Sequence, residues 1–152
     1  MPSVSWEEET PMAKPSAEDR FAIADLFARY MWAIDGGDVD MLVSCFTPDG
    51  ELESPAVGKY SGQDNIRAFA TRFAQFRARG TELRHVLSNM LIDVDGDRGF
   101  AKCYLLVFQV RNGASKLLGP GRYEVQLRKH DGEWRFQHRL VIMDHDYELE
   151  GI

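Results

Sequence analysis

Residues 21–35 have the sequence FAIADLFARYMWAID, and the rest of the fold is predicted to be arranged around this segment. The pattern predicts a helix whose only charged residues before its last position are Asp25 and Arg29, four positions apart on one face. The remainder is apolar almost all round, so the helix is predicted to be largely enclosed by its own fold and to line an interior. At this length it is too short to cross a bilayer.

The last residue of this segment, Asp35, is in an unfavourable place for a carboxylate. The C-terminal end of a helix carries a partial negative charge, which disfavours a second negative charge there by roughly 0.3–1 kcal/mol. A cationic or hydrogen-bonding partner is therefore expected, and His85 is the best downstream candidate. A less specific interpretation stays open, in which His85 is a core histidine bonded to a backbone carbonyl, Tyr30 is packing and Asp35 caps a turn.

Length, composition and charge favour a single globular domain and argue against some classes of partner. The chain has 152 residues, 44% of them hydrophobic and 28% charged, which is enough for one core. Its net charge of −6, with no basic run, argues against nucleic acid and against an anionic membrane surface. Cys45 and Cys103 lack the spacing of a metal site or a redox motif. They are predicted to be buried free thiols, which fits a cytoplasmic protein.

The chain divides into three predicted parts. Residues 1–15 contain three prolines and three consecutive glutamates, which is typical of a flexible arm, and Trp6 is its one hint of docking. The start lacks the cationic and apolar segments of a secretory signal. Residues 16–143 are predicted to form the domain, and residues 144–152 an acidic tail.

The first half of the domain is predicted to be mainly helical. Ser16 caps a helix that runs to Ile34, and Asp38 caps a second helix. Residues 47–50 (TPDG) are predicted to be a turn, and the strand after it is placed at an edge of the sheet because it contains Pro55. The other predicted elements of this half are a helix over residues 39–45, a strand over residues 51–57 and a helix over residues 63–79 that stops at Gly80.

After Gly80 the hydrophobic period changes from about 3.6 to about 2 residues, which predicts strands. Tight turns are expected at residues 95–97 and 130–133, and a loop at residues 111–120. Three helices followed by a four-strand antiparallel meander predict an α+β domain with the helices on one face of a curved sheet. The four predicted strands cover residues 83–94, 99–110, 121–129 and 134–143.

The strand at residues 83–94 carries the candidate histidine. Strict alternation places His85 and Asn89 on one face, and both faces are mainly apolar, so we expect this strand to be covered on both sides. The two polar side chains then need hydrogen-bond partners, because an unpaired buried polar group costs about 1–3 kcal/mol. Asp35 is expected to supply one of them.

Seven segments within residues 16–143 carry a family resemblance: RYMWAID, LVSCFTPDGELE, YSGQDNIRAF, LRHVLSN, DVDGDRGFAKCYLLV, GRYEVQLRKHDGEWRF and HRLV. Together they resemble the SnoaL-like branch of the NTF2-like (cystatin-like) superfamily, whose fold is a cone-shaped α+β domain. The sequence looks most similar to the group of scytalone dehydratase, hexachlorocyclohexane dehydrochlorinase and bile acid 7α-dehydratase. The resemblance predicts the fold more specifically than the activity, because the same scaffold also carries isomerases, cyclases, hydrolases and noncatalytic subunits.

For the site, the resemblance implies an aspartate–histidine pair that abstracts a proton. In those dehydratases an aspartate at the end of the first long helix and a histidine of an HxxxN strand form the catalytic dyad, and here these positions hold Asp35 and His85. His85 would take the proton, and Asp35 would hold the ring and balance its charge. Tyr30 stands at the position of a pocket tyrosine, whose phenol would stabilise a developing enolate oxygen.

Three further residues are candidates for binding the substrate. Asn89 completes the HxxxN motif, although a role in orienting the next strand stays open. Arg139 matches an arginine that reaches the pocket in some relatives, but strict alternation from Trp134 places it on the opposite face unless a bulge intervenes. Tyr104 lies on the strand after the first hairpin, where a core role is the alternative.

We therefore expect a cofactor-independent lyase or isomerase that removes a proton next to a carbonyl of a hydrophobic cyclic molecule, such as a steroid, polyketide or aromatic intermediate. The alternative is a noncatalytic binding or assembly subunit, such as the β subunit of a ring-hydroxylating dioxygenase. No His or Cys pair has metal-ligand spacing, so no metal site is expected. The sheet face that carries Lys102, Phe108 and Val110 is expected to be covered by contact within a homodimer or homotrimer.

Overall fold

The computed structural model describes residues 14–55 and 57–149. Most of the predicted N-terminal arm, with Trp6, and residues 150–152 of the predicted tail lie outside the described residues. In chain order the elements are α1 (Ala17–Gly36), α2 (Val39–Ser44), β1 (Phe46–Ser54), β2 (Gly58–Ser61), α3 (Gln63–Ala78), β3 (Thr81–Asp95), β4 (Arg98–Arg111), β5 (Ala114–His130) and β6 (Glu133–Met143).

Helix α1 has the predicted cap but not the predicted degree of burial. The Ser16 hydroxyl accepts a hydrogen bond from the backbone N–H of Asp19 at 3.1 Å. The helix ends at Gly36, and the capping residue Gly37 takes a left-handed conformation with a φ of 76°. Phe21 and Trp32 are 77% and 76% exposed. The expectation of an enclosed helix is therefore wrong, because apolar residues occupy both faces of α1 but only one face packs into the core.

The other two helices agree with their predicted caps and faces. Asp38 caps α2 and accepts a hydrogen bond from the backbone N–H of Met41 at 3.0 Å. Helix α3 follows β1 and β2, so two strands separate it from α2, where the sequence predicts one, at residues 51–57. In the described part of the chain, no helix is both long and apolar enough to span a membrane. The buried residues of α3 are those that helical spacing predicts: Ile66, Phe69, Ala70, Phe73 and Phe76.

One mixed sheet contains the six strands in the order β2-β1-β6-β5-β4-β3, with β1 and β6 parallel and the other neighbours antiparallel. The predicted meander corresponds to β3–β6, and β2 is missing from the prediction. The prediction that this strand lies at the edge is wrong, because β2 and β6 pair with β1 on its two sides. Pro55 follows the last residue of β1, Ser54, and so does not interrupt the pairing. The predicted turn at residues 47–50 is instead an irregular part of β1, where the register with β6 shifts.

The predicted loop at residues 111–120 is a tight hairpin turn followed by strand. Asn112 and Gly113 turn with φ values of 52° and 74°, a backbone conformation that Asn-Gly pairs favour in two-residue hairpins. Strand β5 begins at Ala114 and pairs with β4 along most of its length. The result is a long β4–β5 hairpin, with β6 paired on one side of it and β3 on the other.

Two irregularities in the strand ladders decide which side chains face the helices. In β3, Asn89 and Met90 both lie opposite a single residue of β4, Cys103. In β6, Gln137 is an extra residue relative to its partner strand β5. Each extra residue reverses the alternation of side chains beyond it.

The helices cover one face of the sheet, which we call the inner face, and the hydrophobic core lies between them. The opposite, outer face is partly open. Val86, Leu106 and Leu117 are 49%, 38% and 50% exposed there. The expectation that β3 is covered on both sides is therefore not met within the chain.

Candidate functional site

A pocket lies between α1, α3 and the inner face of the sheet, and its walls are mainly apolar. His85 and Arg139 are the lining residues that carry basic groups. Tyr147 and Leu149, from the segment after β6, also line it. The space that a water-sized sphere can occupy is about 40 Å³, whereas ligand pockets usually measure roughly 300–1,000 Å³. The pocket is thus nearly closed in this conformation.

The contact expected between the helix-terminal aspartate and the strand histidine is present. Asp35 Oδ1 lies 2.5 Å from His85 Nδ1, and Asp35 Oδ2 accepts a hydrogen bond from the backbone N–H of His85 at 3.0 Å. The side chains of His85 and Asp35 are only 9% and 11% exposed. Arg77 Nε donates to the backbone carbonyl of Asp35 at 3.1 Å, which places a cation at the end of α1. Both carboxylate oxygens are therefore engaged by the start of β3.

This contact determines which nitrogen of His85 is free. A carboxylate only accepts hydrogen bonds, so Nδ1 carries the hydrogen and donates to Asp35. Nε2 has no hydrogen-bond partner among the described residues, and the ring lines the pocket. A neutral imidazole in this tautomer can accept a proton at Nε2, while the carboxylate stabilises the resulting imidazolium.

Tyr30, one and a half turns before Asp35, is fully buried and also lines the pocket. Its ring packs edge-on against Phe46 and Phe136, with centroid distances of 5.9 and 5.7 Å. Its hydroxyl has no hydrogen-bond partner among the described residues. Burial raises the pKa of Tyr30 to about 12, against the opposing effect of the nearby Arg139 charge. The phenol therefore keeps its proton at neutral pH and stays a potential donor.

Arg139 faces the pocket because of the bulge at Gln137. The extra residue reverses the alternation that would otherwise place this side chain on the outer face, which decides the alternative that the sequence leaves open. Arg139 is 2% exposed, and its Cζ lies 3.8 Å from the ring centroid of Tyr30 and 3.9 Å from that of Tyr123. Its Nε and Nη2 have no hydrogen-bond partner among the described residues.

The other two residues predicted to bind substrate, Asn89 and Tyr104, do not reach this pocket. Asn89 sits at the β3 bulge with a φ of 56°, and it is exposed. Tyr104 is 60% exposed, because the alternation of β4 turns Cys103 and Leu105 to the inner face and Tyr104 to the outer face. Both residues line a groove on the outer face instead. The bulge explains the error for Asn89, since strict alternation from His85 would have placed the two on one face.

Three residues that line the pocket have no site role predicted from the sequence: Tyr123, Tyr147 and Leu149. Tyr123 is 2% exposed, and only the bulge in β6 brings Arg139 against it. Tyr147 and Leu149 pack on the core, although the sequence predicts a separate acidic tail. Tyr147 and Leu149 are two positions apart in an otherwise acidic segment, so they point the same way if the segment is extended. This spacing is the one sequence signal that the segment packs against the domain.

Neither the cysteines nor a metal-ligand cluster supplies an alternative centre within the described residues. Cys45 and Cys103 are free and buried as predicted, and burial raises the pKa of both thiols to about 11. Both therefore stay protonated at neutral pH and are poor nucleophiles. No group of three or more His, Cys, Asp or Glu residues in the described part of the chain is arranged to hold a metal ion.

Comparisons with known proteins agree on one family. A family model, that of the SnoaL-like domain, matches residues 15–140. None of the curated proteins compared with this chain matches it.

Similar solved structures include a protein of unknown function from Mycobacterium tuberculosis, 30% identical, with a TM-score of 0.76 and coverage of 85% of this chain and 73% of that one. Another is a protein with a cystatin-like fold from Nostoc punctiforme, 27% identical, with a TM-score of 0.76 and coverage of 89% and 98%. A third, from Novosphingobium aromaticivorans, is described as a candidate scytalone dehydratase. It is 21% identical, with a TM-score of 0.75 and coverage of 88% and 91%, so this likeness shows the fold alone.

Proposed function

The chain belongs to the family of SnoaL-like domains, and from this premise we propose that it is a cofactor-independent lyase or isomerase acting on a mainly apolar, cyclic small molecule. The observation that carries the proposal is the His85–Asp35 pair, which presents a free imidazole nitrogen at the wall of a mainly apolar pocket. A base of this kind removes a proton next to a carbonyl. The family resemblance favours dehydratase-type elimination among such reactions.

In the proposed reaction His85 Nε2 takes the proton from the carbon next to the carbonyl, and Asp35 balances the charge of the imidazolium. The electron pair of the broken C–H bond moves toward the carbonyl oxygen, where the Tyr30 phenol donates a hydrogen bond. A well-placed donor of this kind contributes about 3–4 kcal/mol. In an elimination the C–O bond at the next carbon then breaks, and the imidazolium returns its proton to the leaving hydroxyl as water. In an isomerisation it returns the proton to another carbon.

Abstraction of the proton next to the carbonyl can be tested by itself, because this step does not depend on the leaving group. Wild-type protein is expected to accelerate exchange of the α-hydrogens of cyclic ketones, such as cyclohexanone and 2-tetralone, with deuterium from the solvent. His85→Ala is expected to reduce this exchange by about 10²–10⁴-fold, which is the usual contribution of a general base. Mass spectrometry of the ketone measures the exchange, and circular dichroism checks that the variant folds.

His138→Ala is the matched control, because His138 is a partly buried histidine bonded to Glu53 at 3.0 Å and does not line this pocket. It should leave exchange unchanged. Equal exchange by wild type and His85→Ala would remove His85 as the base. Mass spectrometry of small molecules that co-purify with the protein would then identify the compound to assay.

One observation favours the second candidate, a noncatalytic binding or assembly subunit. The pocket has only about 40 Å³ of free space, too little for a cyclic substrate without movement of a wall. If no ketone in the series exchanges faster with wild-type protein than in buffer, and a partner protein co-purifies with the chain, this second function is favoured.

A further inference from the structure

Arg139 is a buried cation without a counterion among the described residues. It is 2% exposed, and no carboxylate of the described residues forms an ion pair with it. The pocket that it lines has no aspartate or glutamate in its walls. Asp35, just behind the wall, gives both oxygens to His85. Removing a charge from water without a partner is strongly unfavourable, so a site of this kind is complete only when something supplies the negative charge.

The two tyrosine rings restrict where that negative charge can be. The ring centroids of Tyr30 and Tyr123 lie 3.8 and 3.9 Å from the guanidinium carbon, so the cation makes a close cation–π contact with each ring. Such contacts stabilise the cation through the ring faces and do not supply the negative charge that it lacks. What remains for a ligand is the edge of the planar group.

The unpartnered atoms form one particular edge. Nε and Nη2 are the buried nitrogen atoms of Arg139 that form no hydrogen bond with a described residue, and in a planar guanidinium the Nε–H and one Nη2–H point in the same direction. Two parallel N–H donors match the two oxygens of a carboxylate, in the bidentate arrangement that arginine forms and lysine does not. A neutral carbonyl would satisfy only one of the two donors and would leave the charge unbalanced.

We propose that the pocket takes substrates that carry a carboxylate, held in bidentate fashion on Nε and Nη2 of Arg139, with the apolar body of the molecule against the pocket walls. The carboxylate is the anchor and not the reacting group. This inference names the substrate class of the site proposed above and rests on that proposal for the choice of site. The proposed substrate class is thereby narrowed from mainly apolar cyclic molecules to cyclic organic acids.

The test compares acids with their uncharged amides of the same shape. The probes are acetate and acetamide, which are small enough for the closed pocket, and benzoate, 2-naphthoate and their amides. At about pH 7.5 these carboxylic acids are ionised. Calorimetric titration is expected to give at least one acid that binds about tenfold or more tightly than its amide, as charge-assisted bidentate hydrogen bonds predict. Equal affinities within every pair would overturn the proposal.

Three variants separate the role of Arg139 from a general effect of charge. Arg139→Met keeps a long apolar stem between the rings and is expected to abolish the preference for the acid. Arg139→Lys keeps the charge but loses the parallel donors, so we expect most of the preference to be lost, and this variant serves if Arg139→Met does not fold. Arg128→Met, at an exposed arginine, should keep the full preference. A full preference in Arg139→Lys and Arg139→Met would also overturn the proposal.

His85→Ala distinguishes failure of this inference from failure of the proposed function. The variant lacks the proposed base but retains Arg139, so it should still prefer the acids. Acid preference without hydrogen exchange in the wild type, for the ketones and for a cyclic keto acid alike, would remove the lyase proposal and leave the carboxylate site. Hydrogen exchange without a preference for acids would remove the carboxylate site and leave the lyase proposal.

Discussion

Asp35 ends α1 with a negative charge where the helix end is already negative. The cost of that position, roughly 0.3–1 kcal/mol, is offset by two hydrogen bonds from one residue of another element, His85. Because the backbone N–H takes one carboxylate oxygen and the ring takes the other, the carboxylate also fixes the orientation of the imidazole. A locally unfavourable residue thus becomes the support of the proposed base.

The first prediction concerns Asp35→Asn. The amide keeps the size of the side chain but cannot balance an imidazolium, so we expect hydrogen exchange of the ketone probes to fall by about 10²–10⁴-fold. Asp25→Asn is the matched control, because Asp25 lies on the same helix and its exposed carboxylate pairs with Arg29. The mass-spectrometric exchange assay measures both variants. Exchange that falls equally in both would point to damage of α1 rather than to loss of the pair.

The second prediction concerns alkaline stability. Burial raises the pKa of Cys45 and Cys103 from 9.0 to about 11 and that of Tyr30 from 10.0 to about 12. The unfolded chain therefore releases these protons first as the pH rises. The free energy of unfolding should be level with respect to these groups below about pH 9 and should then fall through about pH 12, by about 1.4 kcal/mol per pH unit for each group in its own range. Urea unfolding at a series of pH values measures this.

A double variant, Cys45→Ala with Cys103→Ala, tests the assignment of that alkaline slope. It removes the two thiols, so its stability should fall less steeply between about pH 9 and pH 11 than that of the wild type. Only the slopes are compared, because the two substitutions also leave small cavities. An identical slope in both proteins would show that other groups cause the loss.

Among the elements, the regular ones follow from the sequence and the irregular ones do not. Hydrophobic periods and caps predict α1, α3 and the four long strands to within a few residues at most ends. The bulges at Asn89 and Gln137 leave no mark in an alternating pattern, yet they decide that Arg139 enters the pocket and that Asn89 does not. Residues before a bulge, such as His85, are therefore placed correctly by alternation, and residues at or after it are not.

The third prediction tests the bulge in β6 through deletion of Gln137. Without the extra residue, Phe136 and His138 become neighbours opposite Leu127 and Gln126, so β6 pairs regularly with β5 and Arg139 stays opposite Val125 on the inner face. The deletion variant should therefore keep the preference for carboxylates. Gln137→Ala is the control, since it keeps the bulge and loses only the contact of the side chain with the Thr47 hydroxyl at 3.1 Å. It should retain the preference and lose about 1 kcal/mol or less. A folded deletion variant that no longer prefers acids would contradict the prediction.

The fourth prediction concerns the segment after β6, which closes one side of the pocket. Since the free space is only about 40 Å³, a ligand larger than acetate has to displace a wall, and Leu149 lies in a segment without regular secondary structure. Leu149→Ala should raise the association rate constant of 2-naphthoate several-fold by weakening this contact. Stopped-flow fluorescence of 2-naphthoate itself measures the rate. The exposed neighbour Glu148→Ala should have no effect, and an unchanged rate in Leu149→Ala would show that the ligand enters elsewhere.

For the whole molecule, the sequence predicts the class of architecture better than its connectivity. Periodicity alone indicates helices on one face of a sheet, and the family resemblance adds the cone. Strand β2 has only four residues and no alternating pattern, so its pairing with β1 has no local signal. The parallel contact of β1 with β6 joins residues far apart in the chain. Its register shift follows from tertiary contacts that no short segment encodes.

The last prediction concerns association of the whole chain through the outer face of the sheet. Val86, Leu106 and Leu117 are exposed there, on the same face as Lys102 and Phe108. Contiguous exposed apolar residues on a sheet are typical of an interface, so we expect a homodimer or homotrimer in solution. Light scattering during size-exclusion chromatography measures the mass.

Leu106→Lys should shift that mass toward the monomer, because a charge in the middle of an apolar contact loses its water without gaining a partner. Trp32→Lys is the matched comparison, since Trp32 is 76% exposed on α1, on the other side of the domain from the outer face. It should leave the mass unchanged if the sheet forms the interface. If only Trp32→Lys dissociates the protein, the interface lies on α1 and not on the sheet. A wild-type protein that is monomeric at high concentration would exclude an interface on either surface. Because Leu106 faces away from the pocket, the Leu106→Lys variant should also keep the carboxylate preference, which makes assembly and ligand binding separable in one protein.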